Sequence, residues 1–197
     1  FFTLQDAVDY AVGKNNVTVK VIRDVELTEM VKINGNVTLD LNSKTVTSSS
    51  LKTFEVYANA TIKNGTIANT AVAGRCVDTR KNVELALIDV NLDAKTGGGN
   101  NQALTIGGSE NGTKVNLTNV NIVSGAASNY QGYGIITFVQ TELNVVDSDI
   151  LGYMAICAIL LLLSHFDVVD LKSKIASDFA FVLAWLLGVS AVLWFVL

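Results

Sequence analysis

Proline is missing from all 197 residues, histidine occurs once and cysteine twice, and positive charge is in deficit. Each absence closes off a class of protein. Cys76 and Cys157 form no CxxC and neither has a second cysteine near it, so a disulfide framework is excluded and two free thiols are expected. His165 has no His or Cys at metal-ligand spacing, so no metal site is predicted and the histidine is given no role. Fourteen Lys and Arg stand against eighteen Asp and Glu, for a net charge of −4, and the basic residues are scattered. That leaves no basic field and excludes nucleic acid as a partner. The chain opens Phe1-Phe2-Thr3, without the basic stretch and apolar run of a signal peptide. Lack of proline has a positive side too: where every strand pairs on both flanks, a missing N–H would break a ladder.

What is present divides the chain near residue 150. All eighteen Asn lie in 1–150, whereas 151–197 holds none and carries eleven Leu. Two solvents are implied, and two parts: a domain over 1–153 and a hydrophobic helical tail over 154–197.

The first part repeats. An apolar position, a turn residue two later and an apolar position three after that recur six times: Ile22, Asp24, Leu27; Leu41, Ser43, Val46; Ile62, Asn64, Ile67; Leu87, Asp89, Leu92; Leu117, Asn119, Ile122; Val145, Asp147, Ile150. Upstream of each turn, residues alternate with the period of a half-buried strand, as in Val37, Leu39, Leu41 against Thr38 and Asp40. The turn residues are 19, 21, 25, 30 and 28 apart, near one circuit of a β-solenoid at first and longer where Gly-rich insertions appear. Asn and Asp suit such corners, because a short polar side chain tolerates the left-handed backbone conformation and bonds to nearby main chain. Asp24, Ser43, Asn64, Asp89, Asn119 and Asp147 are therefore expected to stack as a structural corner ladder. The fold class that follows is all-β, a right-handed parallel β-helix of about six coils. Thr3-Leu4-Gln5-Asp6 followed by Ala7, Val8 and Ala11 predicts an N-capped amphipathic helix over about 3–13, closing the open end of the stack.

Three segments, Thr3-Leu4-Gln5-Asp6-Ala7-Val8, Asn36-Val37-Thr38-Leu39-Asp40-Leu41-Asn42 and Asn59-Ala60-Thr61-Ile62-Lys63-Asn64-Gly65-Thr66-Ile67, resemble the pectate-lyase-like β-helix segments of large bacterial surface proteins. The resemblance covers about residues 1–156. It implies the architecture but leaves activity open, since such coils serve lyases, adhesins and phage tailspikes alike. A polysaccharide lyase of this kind is expected to gather carboxylates for Ca²⁺, with an Arg or Lys nearby to take a proton. The residues that would serve are Arg75, Arg80, Asp89, Asp147 and Asp149, with Lys81 beside them, and Ca²⁺ enters only in that reading.

A second surface lies in the insertion from Ser124 to Gly134, where Asn129, Tyr130, Gln131 and Tyr133 combine flat rings with amide donors and acceptors suited to stacking on sugars. Gly97-Gly98-Gly99-Asn100-Asn101 lacks the Lys-Ser/Thr ending of a phosphate loop and reads as an excursion between coils. Asn-x-Thr triplets begin at Asn16, Asn36, Asn59, Asn64, Asn111 and Asn116, acceptors for N-glycosylation in a secretory system. The solenoid itself also favours Asn and Thr.

Phe179 to Leu197 carries no charged side chain. As a helix this stretch rises about 28 Å, close to the roughly 30 Å hydrocarbon core, which predicts a transmembrane span over 179–197. The run from Met154 to Phe166 is short for a second span. Between them Val168, Val169, Leu171, Ile175 and Ala176 fall at helical spacing against Asp170, Lys172, Lys174 and Asp178, the pattern of an interfacial helix. The tail matches no family, and Leu151 to Ile156 reads as the opening of a further coil, so a fused or artefactual tail is an alternative.

The sequence thus points to a cell-surface or extracellular, membrane-anchored binding or structural module, glycan-binding or adhesin-like, with envelope components as partners. The reading leans away from an enzyme. A polysaccharide lyase or hydrolase working in an outer groove is one alternative, and a non-binding stalk is another.

Overall fold

The computed structural model describes residues 1–14, 17–94, 99–108, 111–125 and 132–151, and the backbone of 153–156. Among these, the elements run α1 (Leu4–Ala11), β1 (Thr18–Lys20), β2 (Val25–Leu27), β3 (Val31–Ile33), β4 (Val37–Ser48), β5 (Lys52–Val56), β6 (Ala60–Asn69), β7 (Arg75–Thr79), β8 (Glu84–Ala94), β9 (Gln102–Ile106), β10 (Thr113–Ser124), β11 (Tyr133–Thr137), β12 (Thr141–Val146), β13 (Asp149–Leu151) and β14 (Tyr153–Ile156).

Every pairing among them is parallel and joins one coil to the next. One sheet runs β1-β4-β6-β8-β10-β12, with β2 on β4 and β13 on β10; the other runs β14-β11-β9-β7-β5-β3. The result is a parallel β-solenoid of about five turns. The six repeats read from sequence correspond to six strand levels, and the interval between first and last is what makes about five circuits.

The long strands bend at the Asn/Asp positions. Ser43, Asn64, Asp89, Asn119 and Asp147 all have positive φ, between 48° and 61°. A left-handed residue turns the chain sharply, within β4, β6, β8 and β10 and between β12 and β13, so the larger sheet folds into two walls and the smaller sheet makes the third. Asp24 departs from the expected ladder: its backbone is not left-handed, and it separates the short strands β1 and β2. It still joins the coils, because its Oδ1 accepts the Thr45 amide at 2.9 Å.

In-register stacking makes the core columnar. Leu39, Ile62, Leu87 and Leu117 align with Val145; Val46, Ile67, Leu92 and Ile122 align with Ile150; Phe54, Val77 and Leu104 align with Ile135. Burying one such side chain contributes about 1.5–3 kcal/mol, and no coil can do so without its neighbours. At one end α1 lies against β1, β3 and β4 with Leu4, Val8 and Ala11 buried. Its start is fixed by a capping box in which Thr3 Oγ1 accepts the Asp6 amide at 3.1 Å and Asp6 Oδ2 accepts the Thr3 amide at 3.2 Å.

At the other end, β14 pairs Met154 with Ile135 and Ile156 with Thr137. The solenoid therefore runs into the stretch assigned from sequence to the tail, because Tyr153 to Ile156 still follow the wall made by β11. No helix among the described residues is long and apolar enough to cross a membrane, and 179–197 lies outside those residues.

Candidate functional site

The outer face of the smaller sheet carries a polar pattern that repeats from coil to coil. Strand alternation puts Glu55 opposite the core residues Phe54 and Val56, and Asp78 opposite Val77. Register then aligns Lys32, Glu55, Asp78, Thr105 and Ile136 in one column. A second column holds Lys52, Arg75, Gln102 and Tyr133.

The columns are bonded to each other three residues apart within each strand. Lys52 Nζ pairs with Glu55, Arg75 NH1 reaches Asp78 Oδ2 at 2.8 Å, and Thr105 Oγ1 donates to Gln102 Oε1 at 2.6 Å. Links also cross coils: Lys52 Nζ lies 2.9 Å from Asp78 Oδ2, and Arg80 Nε lies 3.4 Å from Glu55 Oε1. The wall therefore passes along the axis from charged pairs, through an amide and hydroxyl, to an aromatic ring with Ile136. At about 4.8 Å per step, Lys52 and Tyr133 are roughly 14 Å apart.

The carboxylates lie beneath and the cations above. Asp78 is fully buried and Glu55 nearly so, while the side chains of Arg75 and Arg80 keep 25 % and 38 % of their surface. Burial alone would raise the Glu55 carboxyl, but hydrogen bonds from Lys52 and from Tyr57 Oη at 3.0 Å, with the charges of Lys52 and Arg80, hold it below the usual carboxylate value. A carboxylate held ionised beneath cations fixes them in place, leaving planar guanidinium donors at the surface. Asp78 Oδ1 and Arg75 Nε make no hydrogen bond among the described residues; the nearest cation to Asp78 Oδ1 in an ion pair is Arg80 NH1 at 3.9 Å.

The candidates named from sequence divide between walls. Arg75 lies on this face, with Arg80 directly after β7, and Tyr133 stands two register steps from Arg75. Asp89 and Asp147 are corner residues of the other sheet, and Asp149 is an exposed residue of β13 beside Asn121. The acids brought to Arg75 and Arg80 are thus Glu55 and Asp78, not those three. Asp89 instead accepts Asn119 Nδ2 at 2.6 Å, and Asp40 accepts Asn64 Nδ2 at 3.1 Å. Asp40, Asn64 and Asp89 line a groove of about 490 Å³ along the corner. Among the described residues, no group of three or more His, Cys, Asp or Glu is placed to hold a metal ion. Asn129, Tyr130 and Gln131 lie outside the described residues.

Sequence reasoning missed Lys52, Glu55, Asp78, Gln102 and Thr105. A signal was present: Lys-Thr-Phe-Glu, Arg-Cys-Val-Asp and Gln-Ala-Leu-Thr share polar ends and an apolar third position. No family model matches the chain, and neither a curated protein nor a solved structure matches it.

Proposed function

We propose that this chain is a cell-surface binding module of the pectate-lyase-like, right-handed parallel β-helix kind, anchored through 179–197, whose β5-β7-β9-β11 wall binds a glycan. Right-handedness is the hand that parallel crossovers adopt in nearly every case. One observation carries the reading: a guanidinium, an amide and an aromatic ring stand in register along one wall. Fixed planar donors recognise carboxylate or hydroxyl groups, and a ring offers a sugar a stacking face. A linear saccharide fits a wall whose chemistry changes in regular steps.

Binding is favoured over the lyase alternative because the acids beside Arg75 and Arg80 are already engaged by cations. The test is an array of neutral and acidic glycans probed with the full chain in mild detergent, beside Arg80→Ala and Tyr133→Ala. The expected result is retention of a defined set of saccharides, weakened at least about tenfold in each variant, a loss of about 1.4 kcal/mol. Retention that neither substitution changes would remove the wall from the site. Absence of all retention would return the solenoid to the stalk reading. Unsaturated products released from an acidic polysaccharide, and lost in Arg75→Ala, would favour the enzyme.

A further inference from the structure

The smaller sheet begins at β3, which has a paired strand on one side only among the described residues. In a parallel ladder the N–H and C=O of one residue point the same way and those of the next point the opposite way. Ile33 faces the next coil, its carbonyl oxygen accepting the Tyr57 amide at 2.9 Å. Lys32 therefore turns both main-chain groups outward, to the side where no strand pairs. An edge of that kind is a template for pairing with another chain. A side chain of α1 occupies it instead. Gln5 Oε1 accepts the Lys32 amide at 2.7 Å, and Gln5 Nε2 donates to the Lys32 carbonyl oxygen at 3.0 Å. The other Nε2 hydrogen goes to Asp9 Oδ1 at 2.8 Å, one helical turn on. That third bond fixes the sense of the amide, because turned over its oxygen would face two acceptors. The Gln5 amide thus meets Lys32 as the peptide groups of a further strand would.

We propose that Gln5 is a latch: it holds α1 over the β3 edge and so keeps that edge from pairing with a second copy of the chain. Leu4, Val8 and Ala11 fasten the helix to the core, but only the amide answers the edge's own hydrogen-bonding groups. A helix that swings away uncovers Lys32 N–H and C=O together. Lys32 supplies a second guard of a different kind. Its side chain is exposed, and two copies pairing through Lys32 about a twofold axis would bring like charges face to face. The two guards are separable, since salt screens the charge and leaves the amide bonds in place. The inference rests on α1 and β3 and stands whether or not the wall binds a glycan.

Hydrogen exchange and sedimentation velocity on the full chain in mild detergent test it together. Gln5→Met keeps the length of the side chain and removes all three bonds. It is expected to speed exchange of the Lys32 amide about tenfold or more while 60–94 keeps its protection. In about 1 M salt, where the Debye length falls to about 3 Å, the variant should dimerise about fivefold more readily than the unsubstituted chain, and dimerisation should slow Lys32 exchange again. Gln5→Met with Lys32→Gln should dimerise in about 0.1 M salt as well. Lys32→Gln alone, its latch intact, should match the unsubstituted chain. Three outcomes each overturn the proposal: unchanged Lys32 exchange in Gln5→Met, faster exchange with no gain in dimer in either Gln5 variant, and dimers in which Lys32 still exchanges fast.

Discussion

Gly65, next to the left-handed corner of β6, shows how closely the coils approach. A Cβ there would lie 2.5 Å from Leu41 Cβ and 2.6 Å from the Lys44 carbonyl oxygen, both in the coil below. Gly65→Ala must push two strands apart, and we expect a loss of about 1–3 kcal/mol, measured as a lower urea midpoint at unchanged slope. Cys76 is fully buried, and burial first, then the charge of Asp93, pushes its thiol far above the ordinary value. Thiol reagents should therefore leave Cys76 unmodified in the native chain and label it only after denaturation, as peptide mass spectrometry would read. Asp78→Asn would leave Arg75 without its buried counter-charge and Lys52 with Glu55 alone, at an expected cost of about 3 kcal/mol in the same urea measurement. Corner residues of this kind were legible in the sequence, since Asn and Asp at recurring positions report a local backbone need. Asp78 was not, because the Lys52 and Glu55 beside it lie a whole coil away in the chain.

Among the elements, α1 was the most legible, its capping box and apolar spacing both being local. Its worth can be measured: Thr3→Ala removes the oxygen that accepts the Asp6 amide and should cost about 1 kcal/mol, with faster exchange at the start of α1 as the readout. The strands were legible through alternation, and five of the six turn positions are left-handed. The first is not, because short β1 and β2 take up the turn between them without a left-handed residue. The last strand was half legible: Leu151 to Ile156 read as the opening of a further coil, while the apolar stretch from Met154 also read as a helical tail, since hydrophobic runs signal burial without saying against what. Pairing with β11 decides between the two by placing Tyr153 to Ile156 in the stack.

For the whole molecule, charge links stability to pH. Glu55 is held low by the bonds and charges that outweigh its burial, and Asp40, likewise against its burial, by bonds from Asn64 and the Asn42 amide and by the charges of Lys63 and Lys20. A carboxyl depressed in the folded state adds stability above its unfolded value, near 4 to 4.5, and loses it as pH falls through the folded value. The solenoid should weaken steadily below about pH 4.5, and Glu55→Gln should flatten that decline in unfolding followed by circular dichroism. Columns of the core were foreseeable as a class from the repeat; the outer wall was not, because its order depends on register between coils of unequal length. That order also gives the wall a sense of direction. Charge stands toward α1 and the ring of Tyr133 toward the far end, so under the proposed reading a polymer with distinct head and tail would meet a different surface if reversed.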